Sequence, residues 1–548
     1  MKAVINLTII VILLQAIQAC KHPDLDSDHK FGYANVTQRE IPLFEGEIND
    51  EIYQITISVS DTGEACKLQS VCLYLNENSE TGFLDNISIR HIEKLNENVK
   101  EERFGDTVLF SNEKVTVKGL ANFTPGDHNL IFDFYVKREA QLEQSFAIEK
   151  IELGFNQKEN LCFNINGDFR YRPAKVLRKS GQDNCDTYRI PGLITTDKGT
   201  LIAVYDNRYN RSKDLQENID IGMSRSTDGG HSWEPMKVIM DMDEWGGRPE
   251  SLNGVGDPCI LYDHNSGTIW VAALWMSGLT ADDMLWWSSE PGMGPEETGQ
   301  ILLVKSMDDG VIWSDPINIT NQIKDPEWQL LLQGPGRGIT LKNGTLVFPA
   351  QFKADIGEKA IDGGKYTCHS TIIYSRDGGE TWDIGTGAKS NTTEAQVVQL
   401  SNGSLMLNMR DDRNRRTKDE RNGRAVSITD DMGKTWQKHK SSNSALPEPN
   451  CMASLIAANI MYEDEEKRIL FFSNPDDKNV RANMTIKASL DEGLTWPDIH
   501  QVMLNEEEGY GYSCLTMIDD DRLGILYEGI KELYFQVVPL KDLLPDYE

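Results

Sequence analysis

Short apolar runs with a period of two dominate the first third of the chain. Tyr53, Ile55, Ile57 and Val59 share one face, with Thr56 and Ser58 on the other. Val115 and Val117, and then Leu130, Phe132, Phe134 and Val136, repeat the pattern. Alternation turns successive side chains to opposite faces, which predicts strands packed on one side, and no stretch carries a convincing helical period. A β-sandwich over residues 25–170 fits these runs, and a junction rich in Lys and Arg follows from Phe169 to Ser180.

Beyond the junction a different order takes over. Five segments share Ser/Thr-x-Asp-x-Gly-x-(Thr/Ser/Ile)-Trp: Ser226 to Trp233, Ser306 to Trp313, Ser375 to Trp382, Thr429 to Trp436 and Ser489 to Trp496. Successive Trp residues are 80, 69, 54 and 60 positions apart, and five of the eleven Trp residues lie in these units, so the repeat is not a product of composition. Asp and Gly at fixed offsets build a tight turn, and the Trp anchors it in an apolar layer. A repeat of this length with several short strands predicts blades of a β-propeller. The expected fold is all-β: a six-bladed propeller over residues 180–542, preceded by the sandwich. The Asp residues of the repeats are turn staples and are not expected to be catalytic.

The first 19 residues combine Lys2, an apolar run from Val4 to Leu14 and a small Ala19, which reads as a secretory signal too short to span a membrane. Cys20 follows directly and is a candidate for lipidation. The mature protein is then expected to be exported: periplasmic, attached to the outer membrane as a lipoprotein, or secreted. Eight further cysteines are scattered with no zinc spacing. They read mainly as buried apolar residues, with a local Cys66–Cys72 bridge as an open alternative.

Charge narrows the function. The 548 residues hold 55 basic and 86 acidic side chains, a net of −31. Nucleic acids and anionic membrane surfaces are recognised through clustered Lys and Arg, so neither is an expected partner. An anionic small substrate stays compatible with this balance if the cationic groups are local, which predicts a small positive well in a negative surface.

Tyr188-Arg189-Ile190-Pro191, ahead of several Asp-boxes, resembles the bacterial exo-sialidases of the exported Bacteroides type, a family of retaining glycoside hydrolases. The resemblance extends over about residues 180 to 540. It implies a sialylated glycan as substrate, no metal, no cofactor and no protein partner. Sialic acid bears a carboxylate on its anomeric carbon, and a guanidinium is suited to hold it through bidentate, charge-assisted bonds. The resemblance assigns this role to Arg189, Arg410 and Arg481, with Glu528 in Leu526-Tyr-Glu528-Gly529 as the carboxylate set against Arg189. Arg208 is implied as an accessory guanidinium, and Asp257, before Pro258, as the contact to the N-acyl nitrogen. Trp275, Trp286 and Trp287 are candidates for the apolar surround of the acyl methyl.

A carboxylate nucleophile would be repelled by the substrate's own carboxylate, and a neutral phenol is not; the family departs from the two-carboxylate pattern in this way. Tyr512 fits the nucleophile, with Tyr510 as its rival two residues away. Glu394, 16 residues before Arg410, fits the base that activates it. Asp214 fits the acid/base on a loop after Arg208, with Asp220 as the competing strand residue. The basic residues from Arg413 to Arg424 read mostly as a solvated loop. Trans-sialidase and anhydro-forming variants share this constellation. A glycan-binding propeller without activity would keep the Asp-boxes and lose the Arg, Tyr, Asp and Glu set. The sandwich is a candidate carbohydrate-binding module.

Overall fold

The computed structural model describes residues 31–547, apart from residues 61–65, 96–97, 111–113, 157–159, 166, 215–216 and 281–282. The expected signal 1–19 and Cys20 lie outside the described residues. The alternating runs form two sheets packed face to face. One contains Phe31–Gln38, Ile48–Val59, Gly126–Val136, Leu84–Leu95 and Asn98–Arg103. The other contains Asn160–Asn164, Ile148–Phe155, Cys66–Leu75 and Lys114–Phe123. Tyr53, Ile55, Ile57 and Val59 meet Val115, Val117, Leu130, Phe132 and Phe134 in one apolar core, as the period of two requires. Cys66 and Cys72 stand on one strand, six residues or roughly 20 Å apart, so no bridge joins them. Seven of the eight described cysteines are buried and Cys162 is exposed.

The described residues after the sandwich form six mainly antiparallel sheets, the six blades. Blade 1 runs Thr187–Thr195, Leu201–Arg208, Ile219–Ser226 and Lys237–Met240. Blade 2 is built on Asn253–Asp263 and Thr268–Thr280, blade 3 on Leu330–Gln333 and Leu346–Ala354, blade 4 on Thr392–Gln399 and Leu405–Asp411, and blade 5 on Ser454–Tyr462 and Glu465–Pro475. Blade 6 consists of Ser513–Met517, Arg522–Glu528 and Leu533–Pro539, and its outer strand is Pro173–Arg178 from the other end of the chain. The propeller therefore begins at Pro173 instead of residue 180: part of the basic junction is a strand that closes the ring. Arg172 is buried and pairs with Asp542 at 2.9 Å, and Arg178 donates to Tyr205 Oη at 2.6 Å, so these cations are structural.

The five Asp-boxes join the third and fourth strands of blades 1 to 5. In each, the Ser or Thr hydroxyl donates to the Asp carboxylate at 2.7–2.9 Å and accepts from the Gly N–H four residues on. The Gly and the residue before it both take positive φ. Blade 6 has no box because its outer strand arrives from the N-terminal side, so there is no third-to-fourth turn to staple. The boxes also join neighbours: Gly230 of blade 1 packs on Phe535 of blade 6, and Gly379 of blade 3 on Trp270 of blade 2.

At Gly379 φ is +93°, and a Cβ there would lie 2.4 Å from Trp270 Cζ2. Gly379→Ala is expected to destabilise the protein by about 2–4 kcal/mol through backbone strain and overpacking. Thermal unfolding of the variant measures this, with turnover per folded molecule unchanged.

Candidate active site

Three of the innermost strands carry a β-bulge where they reach the propeller axis. Register slips between Arg189 and Gly192 in blade 1, between Gly256 and Cys259 in blade 2, and between Thr392 and Ala395 in blade 4. Bulges re-aim side chains, and these lie at Arg189, Asp257 and Glu394. Pro191 and Pro258 sit at two of them, where the ladder needs no N–H. Ile190 and Asp257 take φ of 59° and 57°. For a β-branched residue such as Ile190 this conformation costs on the order of 1–3 kcal/mol.

Glu528 ends a strand of blade 6 and is buried. Its carboxylate accepts from Arg189 Nε at 3.0 Å and Nη2 at 3.4 Å, from the Ile190 N–H at 2.8 Å and from the Tyr512 N–H at 2.9 Å. One carboxylate thus positions the first guanidinium, the strained bulge and the backbone of Tyr512. Burial opposes the charge on Arg189, but Glu528 and Asp214 more than offset it, so the guanidinium is held even more firmly protonated than usual.

The Tyr512 hydroxyl donates to Glu394 Oε1 in a short bond. Arg410 Nη1 donates to Glu394 Oε2 at 2.5 Å and to Tyr512 Oη at 3.0 Å. Arg481 and Arg189 lie 5.6 Å and 5.2 Å from the centre of the same ring. Burial and the Glu394 charge push the phenol well above its usual range, against the pull of Arg410 and Arg481. Tyr510 occupies a different place: its ring stacks 4.7 Å from the Arg189 guanidinium and its carbonyl accepts from Arg481 Nη1 at 2.8 Å.

Asp214 stands on an exposed loop and accepts from Arg208 Nη1 at 2.6 Å and from Arg189 Nη1 at 3.1 Å. Desolvation would raise its carboxyl, but Arg208 and Arg189 outweigh it and hold the group below its ordinary range. Asp257 stands in the adjacent blade 2, where its N–H donates to Asp206 of blade 1 at 2.8 Å. Burial and the charges of Asp206 and Glu394 push its carboxyl well above the usual range. Asp220 is elsewhere: it is buried, accepts from Tyr209 Oη at 2.9 Å and faces Asp241, Asp243 and Glu250.

Burial and then Asp241 push the Asp220 carboxyl up to about 7. The folded chain therefore holds a proton between pH 4 and 7 that the unfolded chain has lost. This contribution to stability is complete below pH 4 and disappears as pH rises through 7. Asp220→Asn removes the dependence and is expected to gain about 1–3 kcal/mol over the parent at pH 8. Melting curves across pH 5–8 check this, and a constant difference over that range would overturn it.

A pocket of about 350 Å³ opens over the axis, lined by Asp214, Asp257, Glu394, Arg410 and Tyr512 among others. Arg189, Arg208, Arg481 and Glu528 are not among its lining residues: Asp214 engages Arg189 and Arg208, and the Tyr512 ring packs on Arg189 and Arg481. The expected positive well is corrected here: the lining holds Asp214, Asp257, Asp362, Glu394 and Asp412 against Arg410 and Arg415. Apart from the exposed Arg415, the cationic charge at the site is buried and largely paired.

Trp286, Trp287, Met276 and Leu332 form an apolar side of the pocket. Trp275 is fully buried, donates to Asn253 Oδ1 at 3.1 Å and packs on Trp245, so it is a core residue. Most of the basic run after Arg410 is exposed, but Arg424 is fully buried and paired with Glu448 at 2.9 Å. That contact corrects the solvated reading for this residue.

Sequence reasoning missed Asp206 and Asn450. Asp206 holds Arg208 at 2.8 Å and the Asp257 N–H at 2.8 Å; burial raises its carboxyl to about 6. Its position two residues before Arg208 on one strand, hence on one face, was a usable signal. Asn450, at φ +61°, accepts from Arg410 Nη2 at 3.2 Å through its side chain and from Arg481 Nη2 at 3.2 Å through its carbonyl. No local pattern marks it. Among the described residues, no cluster of His, Cys, Asp and Glu has the arrangement of a metal site.

Residues 190–528 match the family model described as a BNR repeat-like domain. A sialidase of Bacteroides fragilis is 46% identical over 433 residues, 79% of this chain and 76% of that protein. An anhydrosialidase of Macrobdella decora is 23% identical, over 65% of this chain and 60% of that protein. Among solved structures, the Hadza microbial sialidase Hz136 superposes with a TM-score of 0.78 at 38% identity, covering 93% of this chain and 99% of that one.

Proposed function

The chain belongs to the BNR-repeat sialidases, and we propose that it releases terminal sialic acid from glycoconjugates with retention, through Tyr512 as nucleophile. The observation that carries the proposal is the buried Tyr512 hydroxyl bonded to Glu394, with Arg189, Arg410 and Arg481 gathered around its ring.

The substrate carboxylate takes the place of Asp214 on Arg189 and also meets Arg410 and Arg481. Relieved of one cation, Asp214 gains proton affinity and swings over the glycosidic oxygen as general acid. Tyr512 Oη attacks the anomeric carbon while its proton passes to Glu394; burial holds the phenol neutral until then, so the base is needed. Arg410 steadies the oxygen as it loses its proton. In the second half Asp214 withdraws a proton from water, which attacks the anomeric carbon from the face the aglycone left, opposite Tyr512; the departing phenolate takes its proton back from Glu394. Asp257 and Trp286 form the side that receives the N-acyl group.

Incubation with sialyllactose, followed by proton NMR, tests this. The α-anomer is expected first. Initial β-anomer would overturn retention, and no released sugar would overturn the activity. A 2,7-anhydro product or a transferred sugar would instead mark the anhydro or trans-sialidase reading.

Export as a lipoprotein through Cys20 belongs to the same proposal and rests on the leader sequence. Labelled palmitate should enter the parent and not Cys20→Ala. For the sandwich we propose glycan contact. Its larger sheet bears a groove of about 860 Å³ containing Arg90, Asn86, Ser88 and Tyr135. Arg90 and Arg103 are outnumbered there by Asp85, Glu101, Glu102 and Asp133, which favours neutral sugars. Arg90→Ala should weaken retention of the full chain on asialoglycans; unchanged retention would remove the proposal.

A further inference from the structure

Buried guanidinium groups in this protein face carboxylates: Arg172 with Asp542, Arg178 with Asp183, Arg189 with Glu528, Arg208 with Asp206 and Arg424 with Glu448. The reason is physical, since a cation taken from water needs a compensating charge. Arg481 is an exception, bonded to two carbonyls, and it stands where the substrate carboxylate is proposed to bind. Arg337 is another; both are half-buried, and Arg337 does not line the pocket that takes the substrate.

The short strand Gly336–Arg337 runs parallel to Cys259 and Ile260 of blade 2 near the axis. From there Arg337 reaches blade 6, where Nη1 donates to the Leu515 carbonyl at 3.1 Å and to Thr516 Oγ1 at 3.4 Å. Its Nε is buried with no hydrogen-bond partner, and among the described residues no carboxylate is paired with it. Burial lowers its proton affinity and no acid restores it.

Arg337 borders a cavity of about 360 Å³ whose lining also holds Arg468, Lys342, His264, Asn265 and Tyr262, and no acidic residue. Arg468 Nε donates to the Gln399 carbonyl at 2.7 Å and Nη1 to Asn459 Oδ1 at 2.9 Å. His264 is engaged by Asp197 at 2.8 Å. An acid-free cavity with two guanidiniums lacking carboxylates is out of keeping with a chain of net charge −31.

We propose that this cavity is a second anion site, which takes a sulfate or phosphate group, free or borne on a monosaccharide. Arg337 and Arg468 supply planar, charge-assisted donors, Lys342 adds charge at the rim, and the volume leaves room for a sugar ring beside the oxyanion.

The test uses the full chain in calorimetric titration and thermal unfolding. Sodium sulfate, sodium phosphate and N-acetylglucosamine 6-sulfate are compared with sodium chloride at matched ionic strength. Saturable binding of an oxyanion is expected, with a rise in melting temperature beyond that of chloride. Arg337→Gln should abolish both. Arg468→Gln, a change nearer the surface that keeps the protein measurable if the first variant fails to fold, should weaken binding about tenfold. Tighter binding of the sugar sulfate would identify a sugar-borne group, and equal binding a free ion. A non-saturating response, or one equal in the parent and Arg468→Gln, would overturn the proposal.

Discussion

Tyr512→Phe is expected to lower sialic acid release by about a thousandfold or more, whereas Tyr510→Phe should cost less than about tenfold. The two tyrosines are separated only by Gly511, yet their surroundings differ. The Tyr512 hydroxyl lies between Glu394, which can take its proton, and Arg410, which can stabilise the oxygen that remains. Tyr510 offers Arg189 a ring face and Arg481 a carbonyl. Phenylalanine at 512 keeps the ring against Arg189 and Arg481 and keeps the backbone N–H on Glu528, so substrate affinity should change only a few-fold. Steady-state kinetics on sialyllactose give the rate. Titration with an unreactive analogue having a planar anomeric carbon gives the affinity. If Tyr510→Phe is the damaging change, the assignment of the nucleophile is wrong.

Glu528→Gln should damage stability and activity together. The carboxylate accepts from four donors: two on Arg189 and the N–H groups of Ile190 and Tyr512. Glutamine retains the shape but turns an NH2 toward one of these donors and removes the charge opposite a buried cation. Breaking a buried pair from one side costs about 3–5 kcal/mol, part of which Asp214 returns here because it also pairs with Arg189. We expect kcat/KM to fall roughly a hundredfold, through both KM and kcat, as Arg189 and Tyr512 lose their common anchor. Calorimetry and kinetics on one sample test this. A variant with native melting temperature and native KM would show that Glu528 positions neither residue.

Legibility of this protein from sequence followed the range of its interactions. The Asp-boxes could be read because each closes within four to seven residues: Ser, Asp and Gly at fixed offsets satisfy one another wherever the segment lies. The sandwich strands could be read because burial on one face leaves a period of two. Candidate site residues could be named through resemblance, by motifs such as Arg189-Ile190-Pro191, while their neighbours could not. Arg189 meets Glu528 across 339 residues and Tyr512 meets Glu394 across 118, and no spacing rule reaches that far. Asn450 carries no local mark.

By itself, the sequence determined an all-β chain, a count of blades and the identity of the turn staples, since each depends on contacts within a single strand or hairpin. Only the tertiary structure decided which tyrosine meets the glutamate, that Pro173–Arg178 closes the ring, and that most guanidiniums at the site face carboxylates while Arg337, at a separate cavity, does not. These depend on where distant strands converge on one axis, and burial there makes every unmatched charge or hydroxyl count.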